Sequence, residues 1–332
     1  MKLSIVIICW NDLRVIGDCL RSIYQGTHAT DFEVIVSDNG STDGSVEFIR
    51  QQFPQVRVIE NRANLRFSKG NNVGIRASQG DYVLILNPDT IIHDWALDKW
   101  MDFADRHPEA GAFGCRVVGA DGSYQESARP FPTIRRDLIA ALYLRPLARL
   151  SKVFTSDHYW AWKGDTERRV DWQCGCSVLF RGDLLRSLGG FDEQFFYYYE
   201  DVDLCRRVWQ AGYPIIYTPD VTITHLGGQS TTKRFPLSFE LDKQITRYRY
   251  YHKYYGRSGA RQCRLVLLTW YSVRRLVYGI LQMIKPTEFR KHRLDLYRAA
   301  ITWNMQVDPV RLVEKHEEPT ISVDMTARVL ER

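Results

Sequence analysis

The chain reads as an α/β protein on a doubly wound sheet, followed by a basic, helical C-terminal appendage. Three observations carry that reading. Apolar β-branched runs alternate with segments of helical periodicity from Leu3 to Leu86, and βαβ alternation of this kind builds a parallel sheet. Polar clusters fall at the carboxyl ends of those runs, where open α/β sheets bind their ligands. From Phe239 onward the chain is aromatic, basic and helical in pattern.

Leu3 to Cys9 is rich in β-branched residues and reads as a buried parallel strand. Leu13 to Tyr24 has helical spacing. Phe32 to Ser37 is a second strand, ended by the turn-forming stretch Asp38-Asn39-Gly40-Ser41-Thr42-Asp43-Gly44. Ser45 to Phe53 is a helix, Val56 to Ile59 a third strand, Lys69 to Gln79 a helix and Tyr82 to Leu86 a fourth strand. Beyond it the order loosens. Helices are expected at Trp95 to Arg106, Arg181 to Leu188 and Asp201 to Ala211. Strand pattern appears at Gly111 to Val118 and Val170 to Phe180, and in two short pieces, Ile215 to Tyr217 and Val221 to Thr224. Ile134 to Phe154 mixes apolar and basic residues around Pro146, and the segment after Asp308 is polar.

With 332 residues, 45% of them hydrophobic, the chain can bury a large core without disulfides or a structural metal. The net charge of +6 is unevenly spread: Lys243 to Arg298 holds 14 Lys/Arg against two acids, so the rest sums to about −6. Basic surface of that density suits anionic lipid, nucleic acid or phosphorylated substrate. The seven cysteines are scattered, and Cys174-Gly-Cys176 is a poor zinc spacing, which fits a reduced, cytoplasmic setting. No leader and no bilayer-spanning run is read from the sequence.

Four clusters could carry chemistry. Asp38 to Gly44 follows a strand, and Asp38 could accept hydrogen bonds from a ribose or base; a plain turn and helix cap is the competing reading. Asn87-Pro88-Asp89 ends the fourth strand, and Asp89 could bind a divalent cation or simply close a turn. Glu200-Asp201-Val202-Asp203 follows the aromatic run Phe195 to Tyr199. Carboxylates there suit general-base work, or compensate a helix dipole. His225-Leu226-Gly227-Gly228 follows a short strand, and His225 is either structural or a metal ligand. No P-loop, Gly-x-Ser-x-Gly, His-Glu-x-x-His or Gly-x-Gly-x-x-Gly is present.

In this order, the segments resemble family 2 glycosyltransferases of GT-A fold, in particular the rhamnosyl- and galactofuranosyltransferase branch. The matching stretches are Val6 to Asn11, Val36 to Gly44, Asn61 to Asn72, Leu86 to Thr90, Gly189 to Phe196, Glu200 to Leu204 and His225 to Gly228. The resemblance implies a Rossmann-like, doubly wound mixed sheet and inverting, metal-dependent transfer from a nucleoside-diphosphate sugar, leaning to dTDP-rhamnose. The acceptor is expected to be a glycan or lipid-linked sugar of a cell-surface polysaccharide. Asp201 is implied as the base, with Glu200 its partner. Asn11, Asp38, Asn39, Arg66, Lys69, Asn72, Asn87 and Asp89 are implied on the donor side, and Trp172, Gly175, Cys176 and Tyr199 on the acceptor side. Asp89 and His225 are implied to hold Mn²⁺ or Mg²⁺. The sequence departs from the family at Asn64-Leu65-Arg66-Phe67-Ser68, where Arg66 replaces the usual glycine.

The expected organisation is a catalytic domain over 1–235, divided into a nucleotide-sugar half (1–110) and an acceptor half (111–235), then a helical basic region over 236–332. Leu265 to Val273 and Leu276 to Leu281 flank Arg274-Arg275. That pattern suits a helix lying in a membrane interface on the cytosolic face, or packing on the catalytic domain or a second subunit. Leu138 to Phe154 has a similar character and is a further candidate for holding a lipid-linked acceptor. No nucleic-acid partner is expected. The alternatives are a nucleotidyltransferase, for which Cys9 to Gly17 lacks a phosphate loop, and a non-catalytic membrane- or glycan-binding module, against which the acids and His225 stand.

Overall fold

In the computed structural model the run Leu3–Cys9 forms β1, buried along nearly its whole length, which is why it shows no polar alternation. The structure describes residues 1–155, 158–159, 162–195, 198–227 and 236–314, with the backbone alone over 236–239. Phe196, Tyr197, Gly228 and the tail past 314 lie outside the described residues. After β1 come α1 (Leu13–Gly26), β2 (Phe32–Asp38), α2 (Ser45–Gln52), β3 (Arg57–Glu60), α3 (Arg66–Ala77) and β4 (Tyr82–Leu86). Next are β5 (Thr90–Ile92), α4 (Ala96–Arg106), β6 (Ala112–Val118), β7 (Tyr124–Gln125), β8 (Ala128–Arg129) and α5 (Ile134–Ala141). β9 (Arg168–Val170), β10 (Trp172–Gln173), β11 (Ser177–Arg181), α6 (Gly182–Ser187), α7 (Glu200–Gln210) and β12 (Ile215–His225) follow. The chain then runs into α8 (Pro236–Ile284), α9 (Glu288–Gln306) and α10 (Pro309–Glu314).

Two compact units result, Met1–Phe131 with Ala161–Ser230, and Pro132–Trp160 with Thr231–Arg332. The first holds the main sheet, whose strands run β3-β2-β1-β4-β11-β6-β12-β5, with β7 on β6 and β9 on β12. β3, β2, β1 and β4 are parallel, β11 is antiparallel to β4 and β6, and β12 is parallel to β6. The sheet is therefore mixed. From β1 the chain moves outward through β2 and β3, then returns to place β4 on the other side. The carboxyl ends of β1, β2 and β4 thus surround a topological switch point, the expected place for a ligand.

Local chemistry moves several boundaries. The strand pattern from Val170 to Phe180 is cut into β9, β10 and β11. Asp171 leaves the ladder to accept a hydrogen bond from Phe131 N at 2.6 Å, and Cys174-Gly175-Cys176 loops out between β10 and β11. The two short strands expected around Pro219 are one, β12. Its register with β6 shifts between Thr218 and Thr222, since proline has no ladder donor. α3 begins at Arg66 rather than Lys69, because Asn64 Oδ1 accepts from Arg66 N at 2.9 Å.

In the second unit, α5 is bound to α8 through Asp137. Its Oδ2 takes Tyr251 Oη at 2.5 Å and Arg247 Nη2 at 2.6 Å. Buried Asn304 of α9 bonds Tyr248 and Gln244 of α8. These polar ties accompany the grouping of residues 132–160 with the C-terminal helices in one compact unit. α8 bends at Gly256, whose φ is 66°.

Gly80, just before β4, supports β1 by close approach. A Cβ there would stand 2.5 Å from Ser4 N and 2.6 Å from Tyr82 O, both backbone atoms. Gly80→Ala should destabilise by about 1–3 kcal/mol, the usual cost of overpacking. Gly279→Ala, with nothing within 4 Å, should stabilise α8 by up to about 1 kcal/mol. Urea midpoints check both, and equal midpoints for the two variants would contradict this packing.

Candidate active site

At the β1 and β2 ends, the backbone is organised by carboxylates and amides. Asp38, nearly fully buried, accepts from Gly40 N at 2.9 Å and Ser41 N at 3.1 Å. These contacts make the turn and leave acceptor capacity for a further donor, since a carboxylate has about four acceptor sites. Asn11, with φ 57°, clips the first loop to the second: its N donates to Ser41 Oγ at 2.9 Å and its Oδ1 accepts from Thr42 N at 2.8 Å. Asn39 faces inward. It donates to Asn64 Oδ1 and Arg66 O and accepts from Asn61, so its side chain fastens the start of α3. Asp43 bonds Leu13 N and Ser45. Asp12 was not singled out from the sequence. Burial lifts its carboxyl to about 6, against a hydrogen bond from Trp10 N, with the charges of Asp89, Asp43 and Asp38 adding to the rise. Asp12 is thus the point at which the charges of the strand-end acids meet.

Asp89 and His225 come from opposite ends of the sequence through the β12–β5 pairing, in which His225 faces Thr90. His225 Nε2 lies 3.3 Å from Asp89 Oδ1, and Leu226 N donates to Asp89 O at 2.9 Å. Gln125 sets the tautomer. Its Nε2 donates to His225 O at 3.0 Å, so its Oε1, 3.1 Å from His225 Nδ1, must accept the Nδ1 proton. Nε2 is then left to carry a lone pair toward a carboxylate, an arrangement that needs a positive charge or a proton between them. Burial pulls the imidazole pKa down, but the hydrogen bond and charge of Asp89 outweigh it and the net shift is upward. The same pair fits a divalent cation with an oxygen and an imidazole ligand. Among the described residues no third His, Cys, Asp or Glu joins them, so further ligands would come from substrate oxygens or water.

The second acidic pair opens α7. Asp201 Oδ2 accepts from Gly175 N at 3.0 Å and its Oδ1 from Val202 N at 2.8 Å. Burial raises its pKa, opposed by those N–H groups and by Arg129. Glu200 is buried, and among the described residues its Oε2 has no hydrogen-bond partner. Burial and then the charge of Asp201 push its carboxyl well above the usual range. Two adjacent carboxyls out of water share one charge more easily than two, and the N–H groups direct that charge to Asp201. Asp203, by contrast, is a structural acid, paired with Arg207 Nε at 2.8 Å. Tyr198 and Tyr199, at φ 65° and 69°, hold the chain in a left-handed bend before α7, a costly conformation for aromatic residues.

The 174–176 loop lies against both groups. Cys176 O accepts from Asn87 N at 2.9 Å, Gly175 holds Asp201, and the Cys174 thiol feels the charges of Asp201 and His225. Trp172 donates to Pro130 O at 3.0 Å and carries Arg129 over its ring at 6.0 Å. Asn87 lends its carbonyl to Thr90 Oγ1 at 2.8 Å. Lys69 is exposed on α3, and Arg66 opens that helix at φ 64°. Asn72 is committed to the loop before α7: it donates to Phe191 O and Glu193 Oε1 and accepts from Phe191 N. Gln125 and Arg129, like Asp12, escaped the sequence. Asp12 had a usable signal, an acid just past a strand end. The other two sit in two-residue strands with no motif around them.

The pattern of glycosyl transferase family 2 matches residues 4–161. The N-acetylglucosaminyl-diphospho-decaprenol L-rhamnosyltransferase of Mycobacterium tuberculosis is 34% identical over 209 residues, 60% of this chain and 67% of that protein. Rhamnosyltransferase WbbL of Escherichia coli is 26% identical over 232 residues, 67% of this chain and 84% of WbbL. The mannosyltransferase PcManGT from Pyrobaculum calidifontis, solved with GDP-Man and Mn²⁺, superposes with a TM-score of 0.53 at 17% identity, over 92% of this chain and 87% of that one. Residues 1–349 of S. aureus TarS, solved with UDP-GlcNAc, give 0.53 at 16%, over 100% and 91%. At those identities the superpositions speak for the GT-A fold. The chain belongs to glycosyl transferase family 2, and it is a glycosyltransferase.

Because the native state keeps the Glu200 proton after the unfolded chain has released it, Glu200 favours folding at low pH. That contribution is lost as pH climbs from the unfolded value of about 4.3 toward the raised native one. Glu200→Gln stays neutral, so its urea midpoint should gain on wild type as pH rises above the unfolded value of about 4.3. A constant difference over that range would mean that Glu200 ionises freely in the fold.

Proposed function

We propose that this glycosyltransferase inverts configuration, moving L-rhamnose from dTDP-rhamnose to a hydroxyl of a lipid-linked amino-sugar acceptor in cell-surface polysaccharide synthesis. The observation that carries the mechanism is the division of charge around the 174–176 loop. An Asp89–His225 pair stands on one side and an Asp201 carboxylate, favoured as the ionised member of its pair, on the other. The donor and acceptor are read from the relatives named rhamnosyltransferases, one of which acts on a decaprenyl-diphosphate-linked N-acetylglucosamine by its name.

In this reading Asp201 takes the proton of the acceptor hydroxyl as its oxygen bonds to the anomeric carbon. The bond from that carbon to the diphosphate breaks in the same displacement. Neutral Glu200 keeps a second negative charge out of the pocket, so the base is not repelled from the reacting centre. Asp38 and Asn11 orient the nucleoside at the switch point, with Asn87 beside them, while Arg66 and Lys69 offer positive charge to the diphosphate. Asn39 and Asn72 act by holding α3 and the loop before α7. Trp172, Gly175, Cys176 and Tyr199 line the acceptor side. Asp89 and His225 would hold Mn²⁺ or Mg²⁺, which when bound neutralises charge building on the leaving diphosphate. Gln125 keeps His225 in the tautomer that such binding requires.

The test is nucleoside-diphosphate release over a panel of nucleotide sugars with a short-chain polyprenyl-diphosphate acceptor. dTDP-rhamnose should give the highest turnover, and a clear preference for another sugar would overturn the donor. Asp201→Asn should keep donor binding and lose about 10²–10⁴-fold in kcat, the usual worth of a positioned base. Near-normal turnover would remove Asp201 from that role. Excess EDTA should abolish activity and Mn²⁺ or Mg²⁺ restore it; full activity in EDTA would rule out the metal.

A further inference from the structure

The second unit carries an apolar surface that its own packing leaves bare. On the last turns of α8, Leu276, Ile280, Met283 and Ile284 recur at helical spacing, with Leu276 66%, Met283 79% and Ile284 75% exposed. Phe289, at the start of α9, continues the strip and is 61% exposed. The opposite face of α8 is fully used. Tyr271 and Tyr278 pack against Tyr297 of α9 with ring centroids 6.1 and 5.5 Å apart.

The exposure does not come from a loose end. Thr287 caps α9, accepting from Arg290 N at 3.2 Å, and its own N donates to Gln282 Oε1 at 3.0 Å. Arg290 Nη1 donates back to Leu281 O at 2.8 Å. Apolar side chains are thus held outward at the tip of a fixed helical hairpin. A second exposed set adjoins it within the same unit. Tyr143 lies under the Arg274 guanidinium at 4.8 Å, and further along the same chain segment Leu150 is 82% exposed, with Val153 also exposed.

The charge around both sets is mostly positive. Arg275, Lys285 and Lys291 are exposed along the hairpin and Arg149 and Lys152 along the 145–154 segment; the exposed acids on α9 are Glu288 and Asp295. Among the described residues no helix is long and apolar enough to cross a membrane. Bare apolar side chains ringed by lysine and arginine on a rigid hairpin match a surface that is hydrocarbon within and anionic at its edge. We propose that the α8–α9 hairpin, with the neighbouring 142–153 segment, seats the enzyme on an anionic phospholipid bilayer. Met283, Ile284 and Phe289 enter the headgroup layer and the basic residues pair with lipid phosphates. This goes beyond the proposed transfer reaction, and it does not depend on which sugar is moved.

The full chain is sedimented with phosphatidylcholine vesicles made with and without phosphatidylglycerol. Wild type should pellet with the anionic vesicles, much less with the neutral ones, and less as salt is raised, because the screening length falls to about 8 Å at physiological ionic strength. Lys285→Gln/Lys291→Gln should lower the partition about 25-fold, at about fivefold for each basic residue. Ile284→Ser/Phe289→Ser should also lower it. Both alter exposed positions and should keep the wild-type melting temperature and donor turnover on a water-soluble acceptor. A wild type that stays in the supernatant with anionic vesicles overturns the proposal, as does either variant pelleting like wild type. Light scattering that shows a dimer broken by Ile284→Ser/Phe289→Ser would assign the face to a second copy of the chain instead. A failed donor reading would change the turnover assay and leave the vesicle result untouched.

Discussion

Two carboxyls in sequence at the start of α7, Glu200 buried and Asp201 half-buried, set the terms for the whole site. Placed together they cannot both ionise cheaply, so the surroundings must choose between them. The choice is made by backbone. Gly175 and Val202 point N–H groups at Asp201, while Glu200 Oε2 meets no donor among the described residues. Burial and the charge of Asp201 push the Glu200 carboxyl well above the usual range, while the N–H groups oppose the rise at Asp201. Much of the surrounding structure serves that arrangement. The break in the strand pattern after Gln173 exists so that Gly175 can leave the sheet and turn its N–H toward α7. The left-handed pair Tyr198 and Tyr199 steers the chain into that helix, and Asn72 pins the loop before it by three hydrogen bonds.

The switch point poses the opposite problem. There, Asp12 is driven up to about 6 by burial, with the charges of Asp89, Asp43 and Asp38 adding to the rise. Such a cluster is unfavourable in the empty protein and becomes favourable when positive charge arrives. His225 lies beside Asp89, whose hydrogen bond and charge hold the imidazole pKa up against burial. Its partner Gln125 makes the histidine directional, because an amide whose nitrogen is already given to the His225 carbonyl can only accept from the ring.

The doubly wound half of the fold was legible because its determinants are local: buried parallel strands are apolar throughout, and turn residues mark their ends. Asp38, Asp89, Asp201 and His225 could be picked out for the same reason, each standing at a strand end or helix start. What stayed hidden depends on pairing at a distance. Gln125 reads as an ordinary polar residue until β7 and β12 bring it to a histidine 100 positions away. Arg129 needs the β8–β10 pairing, and the membership of 132–160 in the helical unit needs Asp137 to find Tyr251 and Arg247. Asn39 and Asn72, expected on the donor side from their motif context, have amides that bond Asn64 and Arg66, and Phe191 and Glu193, respectively.

One carboxylate acting as base, on the side of the sugar away from the departing diphosphate, is the centre of this account, and it has a stereochemical consequence. A single displacement must turn the anomeric centre over, whereas retention would require a nucleophile on the protein and a second step. The direct measurement is the anomeric configuration of the product, read by NMR from the one-bond carbon–proton coupling of the transferred sugar and compared with the donor. The account predicts inversion. A product with the donor's configuration would contradict it.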